Sequence, residues 1–229
     1  TLGLMGGYSL NYHKHITCGE GGLLVTNDEA IAHRVALLRN HGEVLMAKES
    51  SVLPRHGILG ANYRMGEIEA AIARAQLPKL QTMTSSRARA AQRLNKWLAG
   101  LEGVKTPYVG EDNTHVYYVY PLVLVGDLPA SRAQIVGALA AEGVPALMVG
   151  YQNVHRLPLF SEKLAYGESG FPYSAESALD PHCPVAEDLH EKAFLGLLLC
   201  AHEYSDEQCD LIGAAFRKVW ANLAHLPHG

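Results

Sequence analysis

The chain has 229 residues, is 48% hydrophobic and 18% charged, and carries a formal net charge of −4, which suits a globular core and offers no basic footprint for nucleic acid. No run approaches the roughly 18 apolar residues of a membrane span, and nothing resembles a secretory leader, so neither a nucleic-acid nor a membrane partner is expected. Cys18, Cys183, Cys200 and Cys209 form no CxxC pair and the twelve histidines no HxxxH or HExxH spacing, which predicts reduced cytoplasmic thiols and no metal site.

The opening Thr1-Leu2-Gly3-Leu4-Met5-Gly6-Gly7-Tyr8 lacks an initiator methionine and predicts a piece of a longer protein. Lys14 follows, with Ser9 before it and the run Gly19-Glu20-Gly21-Gly22 after it. Small and aromatic residues on one side and glycines on the other describe a crowded turn. On residue type alone Lys14 reads as an ordinary solvated lysine; an amine held in such a turn can also act as a nucleophile toward an aldehyde, while a serine hydroxyl and glycine-permitted backbone amides can meet an anion. Such a set suits a phosphorylated aldehyde. The glycine run lacks the GxxxxGK[ST] pattern of a nucleotide loop and also fits a tight turn into a strand.

Leu23 to Thr26 predicts a short strand, and Thr26-Asn27-Asp28-Glu29 matches a capping box opening a helix. Ile31, Val35 and Leu38 supply that helix's apolar face and Gly42 its left-handed stop. The segment 43–59, with Pro54 and several glycines, predicts an irregular connection of the kind that is often functional. Helical spacing resumes from Arg64, with Met65, Ile68, Ala71, Ile72 and Ala75 on one side and a bend near Pro78. A further helix over 82–98 ends at Gly100 and Gly103.

Beyond it a fresh set of elements begins: a strand over 115–125, kinked or at a sheet edge because of Pro121; a helix over 131–142; and a strand over 144–149. A short helix after Pro184 and a strand over 195–200 follow. A last helix carries Leu211, Ile212, Ala215, Phe216, Val219 and Trp220 on one face. Ser131-Arg132-Ala133-Gln134 and Ser205-Asp206-Glu207-Gln208 are capping boxes at two of the helix starts. The expected organisation is 1–80 as part of a large domain, 81–103 as a linking helix and 104–229 as a small C-terminal α/β domain.

Five stretches together carry a resemblance: Ser9-Leu10-Asn11-Tyr12-His13-Lys14 with Gly19-Glu20-Gly21-Gly22; Leu38-Arg39-Asn40-His41-Gly42; Gly60-Ala61-Asn62-Tyr63-Arg64-Met65; Glu67-Ile68-Glu69-Ala70-Ala71; and Cys183-Pro184-Val185-Ala186-Glu187. In this order the chain resembles the DegT/StrS family of pyridoxal-phosphate-dependent aminotransferases of nucleotide-linked sugars and aminocyclitols. The resemblance implies the α/β architecture of fold type I, as in aspartate aminotransferase, with a partial large domain and a small C-terminal α/β domain. It makes pyridoxal 5′-phosphate the cofactor and Lys14 its Schiff-base lysine. A related dehydratase branch has histidine there, so Lys14 favours transamination.

Ser9 matches a serine that helps hold the cofactor phosphate; a strand-end hydroxyl bonded to local backbone is the plainer reading. Asn62 matches an asparagine that reaches across a homodimer interface to the neighbouring subunit's phosphate; an Asx turn before the next helix is equally natural. Arg64 suits the donor's carboxylate, because a guanidinium pairs it bidentately, or a helix-start surface. His155 resembles a histidine near the sugar, or is an ordinary loop residue. Asn11 stands where the family often has His or Gln, which implies altered substrate contact. The family's aspartate on the pyridine nitrogen lies upstream of the matching region, so these 229 residues alone are expected to fold incompletely or bind cofactor weakly.

The expected activity is amino transfer from glutamate or glutamine to a keto group of a nucleotide-linked sugar or cyclitol, in a cytoplasmic homodimer with shared active sites. A sugar dehydratase of the same fold, and a truncated non-catalytic paralogue acting as a dimerisation or regulatory partner, are the alternatives.

Overall fold

A computed structural model of the chain describes residues 1–43, 58–164, 172–173 and 182–227. Most of the irregular connection expected over 43–59 lies outside the described residues. The chain divides into two units, Thr1–Met83 and Thr84–Gly229.

In the first unit, β1 (Met5–Ser9) and β2 (Gly22–Thr26) pair antiparallel, with Met5 opposite Thr26 and Ser9 opposite Gly22. Helix α1 (Glu29–Arg39) begins at Asp28, not at the expected Thr26 box: the Asp28 side chain accepts from the Ile31 N–H. Thr26 is used differently, its hydroxyl accepting from Asp28 N and donating to the Leu4 carbonyl. A carboxylate placed directly at the N-cap is the better acceptor for orphan amides.

The face of α1 also turns by one position. Leu37 is buried while Leu38 is exposed. Gly42 stops the helix as expected, at φ 74° with its N–H on the Leu37 carbonyl, and a Cβ there would run into the Ile58 carbonyl. An Asn40–Asn62 bridge ties the helix end to the segment that leads into α2 (Glu67–Gln76). That helix starts later than Arg64, and its apolar side is not covered: none of its residues is buried, and Ile68 and Ile72 are exposed. A 3-10 turn at Leu77–Lys79 holds Pro78 and passes into α3 (Leu80–Leu98).

The second unit is built on a four-stranded antiparallel sheet in the order β3-β4-β6-β5, where β3 is Val104–Lys105, β4 Tyr120–Leu124, β5 Leu147–Met148 and β6 Phe194–Leu197. The strands are shorter than the apolar runs that foretold them. Tyr117 at φ 50° and Ala146 at φ 52° break the extended backbone ahead of β4 and β5, and a 3-10 turn at Leu199–Ala201 follows β6.

Pro121 lies on an inner strand, which removes the edge from the two expectations of a kink or an edge. The register explains the tolerance. Val125 N–H bonds Gly103 on the β3 side, and since alternate residues send their N–H groups to the same side of a strand, the nitrogen of Pro121 faces that side too. There β3 pairs with Val123 and Leu124 only, so no ladder bond is lost.

Helices α4 (Arg132–Ala141) and α7 (Asp206–Ala221) both open on complete capping boxes, Ser131 with Gln134 and Ser205 with Gln208. Ile135 and Leu139 of α4, Ile212, Phe216 and Val219 of α7, and Ala91, Leu94 and Leu98 of α3 close one core over Tyr120, Leu122, Leu195 and Leu197. Leu211, expected on the buried face of α7, is 71% exposed. Immediately before it in the helix, Asp210 accepts hydrogen bonds from Arg93 and from the Trp97 indole, clamping α7 to α3. Two short helices, α5 (Pro158–Ser161) and α6 (Pro184–Asp188), complete the unit, the latter running into a π turn at Leu189–Ala193.

Candidate functional site

Lys14 sits on the loop between β1 and β2. Three main-chain bonds close that loop: Leu10 N to Gly21 O at 2.9 Å, Cys18 N to Leu10 O at 3.1 Å, and Lys14 N to Asn11 O at 2.9 Å. Thr17 adds a fourth tie, its hydroxyl donating to the Leu10 carbonyl and accepting from Gly19 N. Leu10 and Cys18 are buried beneath the loop and Lys14 is half-buried on it. Gly21 is required by close approach, because a Cβ there would lie 2.8 Å from the Cys18 sulfur and 3.0 Å from the end of Met65.

Ser9 ends β1 with an exposed hydroxyl whose oxygen accepts from Asn11 N at 3.2 Å. That bond uses a lone pair and leaves the hydroxyl proton to donate, which is what a phosphate oxygen needs. Asn11 makes an Asx turn, accepting from His13 N at 3.1 Å, and its amide donates to Glu20 Oε1 at 2.7 Å. The side chain expected at the substrate thus clasps the two limbs of the loop. Glu20 was not among the expected site residues, because a carboxylate within a glycine run carries no signal of its own.

Met65 against Gly21 brings the second candidate segment to the same loop within the first unit. Asn62 is exposed and accepts from Arg64 N at 3.4 Å, an open Asx turn. The Arg64 guanidinium donates to Asn40 Oδ1 at 2.6 Å. Asn40 stands in the Leu38-to-Gly42 stretch, and only the fold reveals it as the Arg64 acceptor. The residues present suit a phosphorylated aldehyde: a half-buried amine on a closed loop, with a hydroxyl proton at the end of β1.

His155 belongs to the second unit, in a 3-10 turn at Val154–Arg156. Its Nε2 lies 2.8 Å from Glu187 Oε1, which also accepts from Arg156 at 2.8 Å and from Cys183 N at 3.3 Å. The Glu187 carboxyl is held down at about 2, first by Arg156 and then by His155. Sequence separation hid this acceptor, although Glu187 closes the Cys183-to-Glu187 stretch.

The fold matches that of solved aminotransferases of fold type I. An aminotransferase from Psychrobacter cryohalolentis matches with a TM-score of 0.76 at 26% identity, over 96% of this chain and 57% of that one. The chain belongs to the DegT/DnrJ/EryC1/StrS aminotransferase family, whose pattern matches residues 1–193. Among its relatives, GDP-perosamine synthase of Caulobacter vibrioides is 33% identical over 162 residues, 70% of this chain and 42% of that protein. L-glutamine:2-deoxy-scyllo-inosose aminotransferase of Streptomyces paromomycinus is 31% identical over 214 residues, 85% of this chain and 50% of that protein. The chain spans about half the length of these curated relatives. No helix among the described residues is long and apolar enough to cross a membrane.

Proposed function

We propose that this chain carries the lysine portion of a pyridoxal-phosphate-dependent aminotransferase site, moving an amino group from glutamate or glutamine to a keto group of a nucleotide-linked sugar or a cyclitol. The observation that carries the reading is the half-buried Lys14 on a loop closed by the Leu10–Gly21 and Cys18–Leu10 bonds. The relatives named for GDP-perosamine synthesis and for glutamine-dependent amination of 2-deoxy-scyllo-inosose support the acceptor classes and the donor.

When bound, the cofactor supplies an aldehyde for the lysine and an electron-withdrawing ring. The residues of this chain would hold and orient the reacting groups. The Lys14 amine would hold that aldehyde and, once freed, would serve as the base that takes a proton at the donor's α-carbon. The Ser9 hydroxyl donates to a phosphate oxygen. Asn62, whose side chain is exposed beside the Asn40–Asn62 bridge, would donate to the phosphate of a second copy's cofactor, which makes the working form a homodimer. Arg64 exchanges Asn40 for the donor's carboxylate, an ion pair in place of a bond to a neutral amide. His155 faces a hydroxyl of the acceptor, and Asn11 acts through the loop it clasps.

Borohydride reduction of the intact protein with added pyridoxal phosphate, followed by peptide mass analysis, tests the assignment. The label is expected on Lys14 and absent from Lys14→Ala. A label on another lysine, or none, overturns it. With glutamate and a keto-sugar or cyclitol acceptor, formation of 2-oxoglutarate separates amino transfer from dehydration.

A further inference from the structure

Glu187 Oε1 gathers three donors from two places in the chain: the His155 ring and the Arg156 guanidinium on one turn, and the Cys183 backbone at the start of α6. The His155 and Glu187 side chains are each only 15% exposed, so this pair is largely withdrawn from water. A carboxylate accepts hydrogen bonds and does not donate them. The proton between the two residues is therefore on His155 Nε2, and the ring's tautomer and rotation are both set by one contact at 2.8 Å. Nδ1, across the ring, is the nitrogen left to meet a ligand.

Arg156 contributes in a different way. Its guanidinium, half in solvent, holds the same oxygen from a second direction, while Cys183 N–H holds it from the backbone. The oxygen is thereby fixed in place whether or not His155 bonds it. Such an arrangement matches the logic by which an acceptor behind a functional imidazole orients it and selects its tautomer.

We propose that Glu187 is a positioning residue for His155, holding the ring as the Nε2–H tautomer so that Nδ1 accepts a hydrogen bond from a hydroxyl of the polyhydroxylated acceptor, sugar or cyclitol. This rests on the functional reading given above, in which His155 meets the acceptor. A ring held as this tautomer discriminates by hydrogen bonding: a site built around an acceptor nitrogen rejects an analogue that lacks the donating hydroxyl. Glu187 itself touches no substrate in this account and acts through His155.

The test has a spectroscopic arm and a kinetic arm. In the 15N-labelled protein, above the usual imidazole titration range, the His155 ring is identified by the signal lost in His155→Gln. Its Nε2–H proton is expected to be visible and shifted downfield by the carboxylate. In Glu187→Gln, Arg156 and Cys183 keep an oxygen pointed at the ring, so the signal persists but moves upfield; in Glu187→Ala it is lost. A ring protonated at Nδ1 alone in the unmodified protein, or an Nε2–H signal that neither variant changes, overturns the positioning role. The near-isosteric Gln variant decides the question should the Ala variant fail to fold.

Kinetically, Glu187→Ala is expected to raise the acceptor's KM about tenfold, the cost of about one hydrogen bond. The donor half-reaction, followed without acceptor, should keep its rate, and Glu187→Gln should recover most of the loss. A parallel fall in the donor half-reaction would mean that Glu187 supports structure only. Absence of amino transfer with any acceptor would remove the functional reading and the acceptor role with it, while the Nε2–H signal would still report on Glu187 and His155 alone.

Discussion

The two units hold themselves together by different means. Among the described residues the buried apolar side chains of Thr1–Met83 are Leu10, Cys18 and Leu37, while Leu23, Leu24, Val25, Ile68 and Ile72 stay exposed. Thr84–Gly229 instead closes a continuous core from Ala90 through Leu223. Yet all the candidate site residues except His155 stand on the thinly cored unit. The geometry around Lys14 therefore comes from main-chain bonds, short side-chain clasps and the small contact of Leu10, Cys18 and Met65 at Gly21 more than from an extended core.

The largest expected effect sharpens this contrast. Phe216→Ala, at a fully buried position, should cost the second unit about 3–5 kcal/mol by transfer and cavity terms together. Both tryptophans, Trp97 and Trp220, lie in that unit, so their fluorescence in a urea titration reads it directly. Leu37→Ala in the first unit should cost nearer 2 kcal/mol, measured by amide exchange across α1. Equal losses would break the comparison.

A pH effect comes next. Asp210 is held at about 2, first by its hydrogen bonds from Arg93 and then by Trp97. A depressed carboxylate contributes stability that is fully present above its unfolded value, near ~3.9, and that disappears as pH falls toward the folded one. Asp210→Asn should therefore be less stable than the parent at neutral pH, with the gap closing as pH drops below about 4. A constant gap, followed by tryptophan fluorescence through an acid titration, would show that the α3–α7 clamp is not electrostatic.

The smallest effects come from the caps. Asp28→Ala and Ser205→Ala should each cost about 1 kcal/mol, but amide exchange should distribute the loss differently. In α7 only the first turn should loosen, because Ile212, Phe216 and Val219 anchor the rest. In α1, with Leu37 as its buried anchor, exchange should rise along the whole helix. Matching profiles would mean that the first unit is held as firmly as the second.

What was legible in the sequence follows the same divide between local and long-range causes. The boxes at Ser131 and Ser205, the stop at Gly42 and the short helix after Pro184 depend on neighbours within a few residues, and each is where local chemistry placed it. Strand lengths were not readable, because Tyr117 and Ala146 adopt left-handed backbone inside or beside apolar runs. The strand β1 was hidden by its glycines, which lower strand propensity. Helix faces failed where burial is decided by tertiary cover: Leu211 has the right spacing and no cover. At the site, the loop around Lys14 announced itself through Ser9 and the glycine run. Glu20, Asn40 and Glu187 did not, since a carboxylate or amide that orients another side chain leaves no periodic or compositional trace.

Pro121 has a further consequence, in how the molecule meets other copies of itself. On the β3 side of β4 the short strand leaves the stretch before Val123 without a ladder partner, a place where an unfolded segment could add itself as a strand. An incoming chain would find a ring in place of the hydrogen-bond donor it needs at Pro121. A strand position without a donor disfavours such an addition on this side of β4.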